Sequence, residues 1–230
     1  MLLALDTAFS ACSVALASPS GELASARHVV QSRGQAETLV PMVDEVLQQA
    51  GVKPQAITRI VVTRGPGTFA GVRVGIAFAR SLALATGARV LGLSSFEALA
   101  GSVSLEGSWP KSLPLVVAIP AGRAGISVEM FTKPEKTSLV PKTLKGPKIV
   151  SLEDFYAWTG AGEGIVAGPR MDQIPEAKGF VKIDQWPRAE DLIRSALLYP
   201  ESAYEDTATP LYLRPPDATP QSPSRFLTGS

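Results

Sequence analysis

The sequence contains few residues that could bind a metal ion or act as a nucleophile. Cys12 and His28 are its only cysteine and its only histidine. They lie far apart in the chain and do not suggest a soft-ligand metal site, which needs three or four such ligands. Several serines are present, but none lies in the G-x-S-x-G turn that exposes a nucleophilic serine. We therefore expect Cys12 to be a buried, reduced thiol and His28 to be a partly exposed residue of a strand.

Composition indicates a globular protein without a strong attraction for polyanions. Of 230 residues, 45% are hydrophobic and 19% are charged, and 22 basic against 21 acidic residues give a net charge of +1. No basic block stands out, so a partner would hold most of any bound RNA. Asp6 interrupts the apolar N-terminus and no basic region precedes it, which argues against a signal peptide. No stretch approaches 18 uninterrupted apolar residues, so we expect a cytoplasmic protein without a membrane span.

The order of the predicted elements favours an actin-like lobe. The first 93 residues alternate strand and helix patterns in the order βββαβαβ, which suits a mixed sheet better than a doubly wound sheet. This predicts an α/β, two-lobed actin-like fold (ASKHA, ribonuclease H-like) with a reduced second lobe. Kinases, chaperones and scaffolds share that architecture, so the fold alone assigns no function. The predicted strands are 2–5, 12–17, 22–30, 59–63 and 90–93, and the helices are 35–50 and 69–86.

A tight loop is predicted at the start of the second of these helices. Residues 65–75 have the sequence G-P-G-T-F-A-G-V-R-V-G. Glycine permits positive φ and proline cannot continue a central strand, so Gly65, Pro66 and Gly67 end the preceding strand. Thr68 can then accept a hydrogen bond from an amide one turn later and cap the helix, and Gly87 is placed to stop it.

The helix that follows has an unusual composition. Two interior glycines each cost roughly 1 kcal/mol relative to alanine, and we expect close approach of another backbone to compensate. The remaining positions are nearly all apolar, which is typical of a core or an interface helix, and both can apply to different faces. Small side chains recur at four-residue steps, at Gly71, Gly75, Ala79 and Ala83. One stripe carries the helix's charge, at Arg73, Ala77, Arg80 and Leu84.

The rest of the chain predicts a second, smaller lobe. We expect an N-terminal lobe at residues 1–100, a linker at 101–113, a C-terminal lobe at 114–204 and a partly mobile Pro-rich tail at 205–230. Strands are predicted at 115–119, 126–131 and 164–168, and helices from about 151 and 187. Ser94 and Glu97 fit a capping box at another helix start, so we expect Glu97 to cap rather than to catalyse.

Two parts of the chain together resemble the TsaB family. One is the opening L-A-L-D-T at residues 3–7 with A-C-S-V-A-L at 11–16, and the other is the stretch from Gly65 to residue 100. The resemblance is looser from 112 to 200 and returns at 210–215. It implies a non-catalytic, accessory subunit of the bacterial machinery that forms threonylcarbamoyladenosine in tRNA, next to the anticodon. The loop residues that carry it are Gly65, Pro66, Gly67, Thr68 and Gly71.

The resemblance also implies partners and a surface that meets them. The expected partners are a catalytic TsaD-like paralogue and a TsaE-like ATPase subunit, with tRNA bound only through the complex and a homodimer when the chain is alone. In that family two neighbouring helices form the contact. The matching positions on the first helix are Leu39, Pro41, Met42, Val43, Glu45 and Val46. On the second they are Arg73, Ala77, Arg80 and Leu84.

Asp6 and Thr7 are candidates for a vestigial nucleotide site. In nucleotide-binding actin-like proteins an aspartate after the first strand serves the metal and the next turn holds phosphate, usually with glycines that turn amides inward. This chain has no glycine between Asp6 and Ser20. The second lobe offers only Gly160–Gly164 and Gly168–Arg170, neither a complete phosphate loop. We therefore expect no cofactor and no metal.

Two other functions stay open at this stage. A small phosphotransferase or ATPase of the same fold would have to bind ATP by itself, and a metallopeptidase would have to bind zinc or iron. The chain also departs from its relatives in two places. Residues 120–124 (P-A-G-R-A) replace a turn that usually contains an aspartate, and Ala70 stands where threonine is common.

Overall fold

The computed structural model describes residues 1–105, 109–110, 112–133, 140–160, 162–176, 179–204 and 208–213. Two five-stranded mixed sheets dominate the molecule. The elements of the first half are β1 (Leu2–Asp6), β2 (Ala11–Ala17), β3 (Leu23–Val30), α1 (Gln35–Gln49), β4 (Arg59–Thr63), α2 (Phe69–Thr86), β5 (Arg89–Leu93) and α3 (Ser95–Leu105). Those of the second half are β6 (Leu115–Pro120), β7 (Ile126–Thr132), β8 (Lys142–Val150), α4 (Phe155–Thr159), β9 (Gly164–Gly168), β10 (Phe180–Asp184) and α5 (Ala189–Ala196).

The first sheet has the order β3-β2-β1-β4-β5. β1 pairs antiparallel with β2 and parallel with β4, because a short turn joins β1 to β2 whereas α1 lies in the crossover to β4. The second sheet has the order β10-β9-β6-β7-β8, again with antiparallel pairs at one end and parallel pairs at the other. This is the two-lobed actin-like α/β fold, and the predicted fold class is confirmed.

Helices cover both faces of the first sheet. α1 packs on β2 and β3, and α2 packs on β4, β1 and β5. Alternation along β1 sends Leu3 and Leu5 into the core under these helices, and Leu2 and Ala4 into a second core under α5. β1 and β2 are buried along their whole length, which is why they have apolar residues at consecutive positions.

Two helices, α3 and α5, do not follow the expected division of the chain into two lobes. α3 continues to Leu105, past the predicted end of the first lobe at residue 100. α5 follows the second sheet in sequence but packs on all five strands of the first sheet and on α3. Local sequence could not reveal either feature, because both depend on which apolar surface the helix covers. β8 and β10 were not predicted, and neither has a row of consecutive buried residues.

α2 has the predicted caps. The Thr68 hydroxyl accepts from the Gly71 amide at 3.2 Å, and Gly87 ends the helix with φ of 74°. Within the described part of the chain it is the one helix long and apolar enough to cross a membrane, with a mean hydropathy of 1.3. Core helices of soluble proteins pass the same test. In the fold, α2 buries its small residues on the sheet and exposes Arg73 and Arg80.

Candidate partner-binding face and interlobe cleft

Asp6 is sealed inside the first lobe. Its side chain is 0% exposed, and Oδ1 accepts hydrogen bonds from the Thr63 hydroxyl and, at 3.4 Å, from the Ala8 amide. Oδ2 has no hydrogen-bond partner within the described chain. Burial raises the pKa of Asp6 to about 6, against the opposing effect of the Thr63 and Ala8 bonds. A carboxylate in this position has no route to a ligand in solvent.

The turn after β1 is covered by the start of α2. The Thr68 amide donates to the Ala8 carbonyl at 2.7 Å, and the Thr7 hydroxyl donates to the Gly71 carbonyl at 2.7 Å. A β-carbon added at Gly67 or Gly71 would overlap the carbonyl oxygens of Ala8 and Thr7. The close backbone approach expected from the small residues is therefore confirmed, and the neighbouring backbone is the turn of the β1–β2 hairpin.

An open cleft of about 770 Å³ lies between the two sheets. The first lobe lines it through Phe9 and Ser10 of the turn after β1 and through the start of α2, and the second lobe through the β6–β7 turn and the loop after β9. Its polar groups come from serine, threonine, glutamine and tyrosine side chains and from Arg73 and Arg170. No aspartate, glutamate, histidine, cysteine or lysine is among its described lining residues. Asp6 and Thr7 do not reach it, and of the two glycine segments only the loop containing Pro169 and Arg170 does.

The structure corrects the predicted partner-binding residues on α1. Four of the six positions are at most 4% exposed and belong to the core of the first lobe: Leu39, Met42, Val43 and Val46. The sequence identified the apolar stripe of α1 correctly, but this stripe packs on the sheet and does not face a partner. Pro41 is exposed, and Glu45 forms a half-exposed ion pair with Arg27 at 3.1 Å. The outward face of α1 instead presents Val40, which is 56% exposed, and Asp44.

The four positions named on α2 are all exposed, at Arg73, Ala77, Arg80 and Leu84. Leu84 is 90% exposed, the highest value among the exposed large hydrophobic residues of the described chain. Because α1 and α2 pack side by side on one face of the sheet, their outward faces form a continuous surface. The exposed apolar side chains on this surface include Val40 on α1 and Leu84 on α2.

The exposed stripe of α2 also binds a segment from the C-terminal part of the chain. Arg80 donates to the Ala208 carbonyl from Nε at 3.0 Å and from Nη2 at 2.6 Å. Arg73 donates from Nε to the Tyr212 hydroxyl at 2.9 Å, and its guanidinium lies 3.7 Å from the centroid of the Phe69 ring. We call residues 208–213 the docked segment.

Sequence reasoning missed the docked segment, which falls inside the predicted tail at 205–230. The Leu211 amide donates to the Arg64 carbonyl at 2.7 Å, and Gly92 leaves the space that Ala208 occupies. The available signal was the family-like P-L-Y-L sequence at residues 210–213. The rest of the predicted tail, 205–207 and 214–230, lies outside the described residues.

The remaining candidates have structural roles or stay unassigned. Cys12 is fully buried as predicted, and burial together with the nearby Asp6 carboxylate raises its pKa to about 12. His28 is partly exposed on β3, as predicted, and burial lowers its pKa. Glu97 caps α3 through the Ser94 amide at 2.7 Å, and the Ser94 hydroxyl accepts from the Glu97 amide at 3.0 Å. No cluster of metal-ligating side chains occurs in the described part of the chain.

Comparisons with known proteins agree with this architecture. Residues 28–183 match the family model described as TsaD, tRNA N6-adenosine threonylcarbamoyltransferase. The chain is 28% identical over 202 residues to the Escherichia coli protein named tRNA threonylcarbamoyladenosine biosynthesis protein TsaB, covering 79% of this chain and 84% of that one. A tRNA N6-adenosine threonylcarbamoyltransferase of Anaeromyxobacter dehalogenans is 41% identical over 76 residues, covering 33% of this chain and 21% of that one.

A solved Pseudomonas aeruginosa structure, described as an uncharacterized protein with similarity to the peptidase YeaZ, superposes with a TM-score of 0.77. It is 28% identical and the match covers 93% of this chain and 99% of that one. The family model spans more than half of the chain, and the TsaB relative matches across both lobes. The chain therefore belongs to the family described by the TsaD model and, within it, to the TsaB proteins.

Proposed function

We propose that this chain takes part in forming threonylcarbamoyladenosine in tRNA as a non-catalytic subunit, which binds and activates a TsaD-like catalytic paralogue. The observation that carries the proposal is the complete burial of Asp6, together with the cover that the start of α2 places over Thr7 and Ala8. Actin-like enzymes need that carboxylate and that turn to reach a metal–phosphate group. Here Asp6 is buried and α2 covers Thr7 and Ala8, so we assign the chemistry to another subunit.

The outward faces of α1 and α2 are the proposed contact surface. Leu84 supplies an exposed apolar anchor, and Ala77 allows a partner helix to approach closely. A specific interface buries on the order of 1,600 Å² in total, which two adjacent helices can provide together with the docked segment. The same surface would serve for a homodimer when the chain is alone. A TsaE-like ATPase subunit and tRNA would join through the complex in the cytoplasm.

One observation favours a second candidate, an ATPase or phosphotransferase that acts alone. The interlobe cleft, at about 770 Å³, is within the size range of small-molecule sites, and Arg73 and Arg170 could meet an anionic group. Transfer of a phosphoryl group also needs a metal ion and a residue that positions the nucleophile. The described lining offers no carboxylate for either task, so we rank this candidate second.

Two measurements on the full chain test the proposal. Mixed with the TsaD-like paralogue of the same organism, the chain should elute with it in gel filtration and increase its threonylcarbamoyl transfer to tRNA. Calorimetry with Mg-ATP on the chain alone should give no binding at micromolar nucleotide. Nucleotide hydrolysis by the isolated chain, or failure to pair with the paralogue, would contradict the proposal.

A further inference from the structure

β8 is the outer strand of the second sheet and has a lysine at every third position, Lys142, Lys145 and Lys148. In a regular strand side chains alternate between faces, so a spacing of three would place the middle lysine opposite the other two. All three side chains are exposed. β8 contains no acidic residue.

The pairing of β8 with β7 removes this alternation. Lys148 lies opposite Val128, Lys145 opposite Met130 and Lys142 opposite Thr132. The register shifts twice between these pairs, so that six steps along β8 correspond to four steps along β7. Because Val128, Met130 and Thr132 alternate regularly, they share one face of β7. The two shifts therefore bring the three lysines onto one face of the sheet.

Contacts on either side of β8 agree with this assignment. Lys145 donates to the Trp158 carbonyl, and its Nζ lies 4.8 Å from the centroid of the Trp158 ring, on the side of the sheet that α4 covers. Thr143 points the opposite way, since its hydroxyl donates to Glu129 at 2.8 Å. The one carboxylate that contacts β8 in the described structure is thus on the face without the lysines.

The result is a row of positive charges along one edge of the second lobe. Successive lysines lie opposite β7 residues that are two positions apart, which corresponds to about 7 Å. None of the three forms an ion pair within the described part of the chain. A row of ammonium groups without carboxylate partners and with this spacing is complementary to the phosphates of a nucleic acid strand, which it would bind without reading sequence.

We propose that the lysine face of β8 is a contact surface for the phosphate backbone of RNA, which rests on the proposed role in tRNA modification and deepens it. The surface lies on the second lobe, apart from the α1–α2 surface on the first. The partner subunit can hold the tRNA while this chain adds a second, sequence-independent contact. The chain's net charge of +1 is compatible with this division of RNA contacts between two subunits, since the three lysines form a local group.

The test is titration of fluorescent tRNA with the full chain, read by anisotropy at several salt concentrations. The test variant is Lys142→Gln/Lys145→Gln/Lys148→Gln. A control variant makes the same charge change at exposed sites elsewhere, Arg33→Gln/Lys53→Gln/Arg123→Gln. We expect the test variant to lose about tenfold or more in affinity at low salt, and its log–log salt slope to become shallower by about 3. The control, and a triple Lys→Arg variant, should keep wild-type binding.

Three results would overturn the proposal. In the first, wild type and the glutamine variant bind tRNA equally; the lysines would then only protect an edge strand from pairing with other chains. In the second, the wild type does not bind tRNA at low salt. In the third, the wild type binds vesicles of anionic lipid through these lysines and does not bind tRNA more tightly than it binds the vesicles. Gel filtration with the paralogue separates the two proposals, because the glutamine variant should still pair. RNA binding through β8 without pairing would contradict the proposed function alone.

Discussion

The Thr7 hydroxyl donates a 2.7 Å hydrogen bond to the Gly71 carbonyl oxygen, between residues 64 positions apart in the chain. This hydrogen bond joins the first turn of α2 to the residue that follows β1. Both residues are buried, and the backbones are so close that a β-carbon at Gly71 would overlap the Thr7 carbonyl oxygen. The contact explains the glycine in the helix interior and covers the first residue of the turn that follows Asp6.

Gly71→Ala should destabilise the protein. Alanine normally favours a helix over glycine by about 1 kcal/mol, but here its methyl group would force α2 away from the β1–β2 turn, and overpacking costs about 1–3 kcal/mol. The measurement is the free energy of unfolding in urea. Gly162→Ala is the matched control, because nothing lies within 4 Å of its added β-carbon. A Gly71→Ala variant more stable than wild type would show that α2 is not held this closely.

Asp6→Asn should change how stability depends on pH. Burial raises the pKa of Asp6 from 3.8 to about 6, so the folded protein binds this proton more tightly than the unfolded chain. Stability therefore falls as pH rises from about 4 to about 6, and the penalty persists above that range. Asparagine keeps an oxygen for Thr63 and does not titrate.

The expected result is that the stability of Asp6→Asn relative to wild type improves between pH 4 and pH 7. A shift of about 2 pKa units corresponds to a gain on the order of 3 kcal/mol. Comparing variant with wild type at each pH cancels the other titrating groups. A relative stability that stays constant across this range would mean that Asp6 remains charged in the fold.

Leu84→Glu should abolish pairing with the paralogue and leave folding intact. Leu84 is 90% exposed, so a glutamate costs little in the free chain, whereas a buried, unpaired carboxylate in an interface costs several kcal/mol. Gel filtration measures pairing and circular dichroism measures folding. Leu152→Glu, at a 49% exposed position outside the proposed interface, is the matched control and should still pair. Loss of folding in Leu84→Glu would place this face in the core instead.

Arg80→Ala should release the docked segment. It removes both hydrogen bonds to the Ala208 carbonyl, and a hydrogen bond that involves a charged group contributes about 1.5–3 kcal/mol. Hydrogen exchange at the Leu211 amide, which donates to Arg64, should become faster. The global free energy of unfolding should fall as well, because Ala208 of the docked segment packs in the core of the first lobe. Arg123→Ala, at an exposed turn, is the control, and equal exchange in the two variants would contradict this role of Arg80.

The two helices show where sequence reasoning reached its limit. On α2, Thr68 and Gly87 were predicted as caps because capping depends on residues next to the helix in sequence. On α1, the stripe that contains Leu39 and Val46 was also recognised, but it was assigned to a partner when it belongs to the core. Periodicity identifies an apolar face, but it does not say which surface covers that face.

The sequence by itself determined the order of strands and helices in the first lobe, the G-P-G loop and the capping of α2 and α3, because each follows from neighbouring residues. It also indicated a chain without a cluster of catalytic side chains. Only the tertiary structure decided that α2 covers the turn residue Thr7, that Arg73 and Arg80 hold the docked segment, and that two register shifts align three lysines on β8. Each of these depends on groups far apart in sequence, whose meeting is set by the packing of the two sheets and their helices.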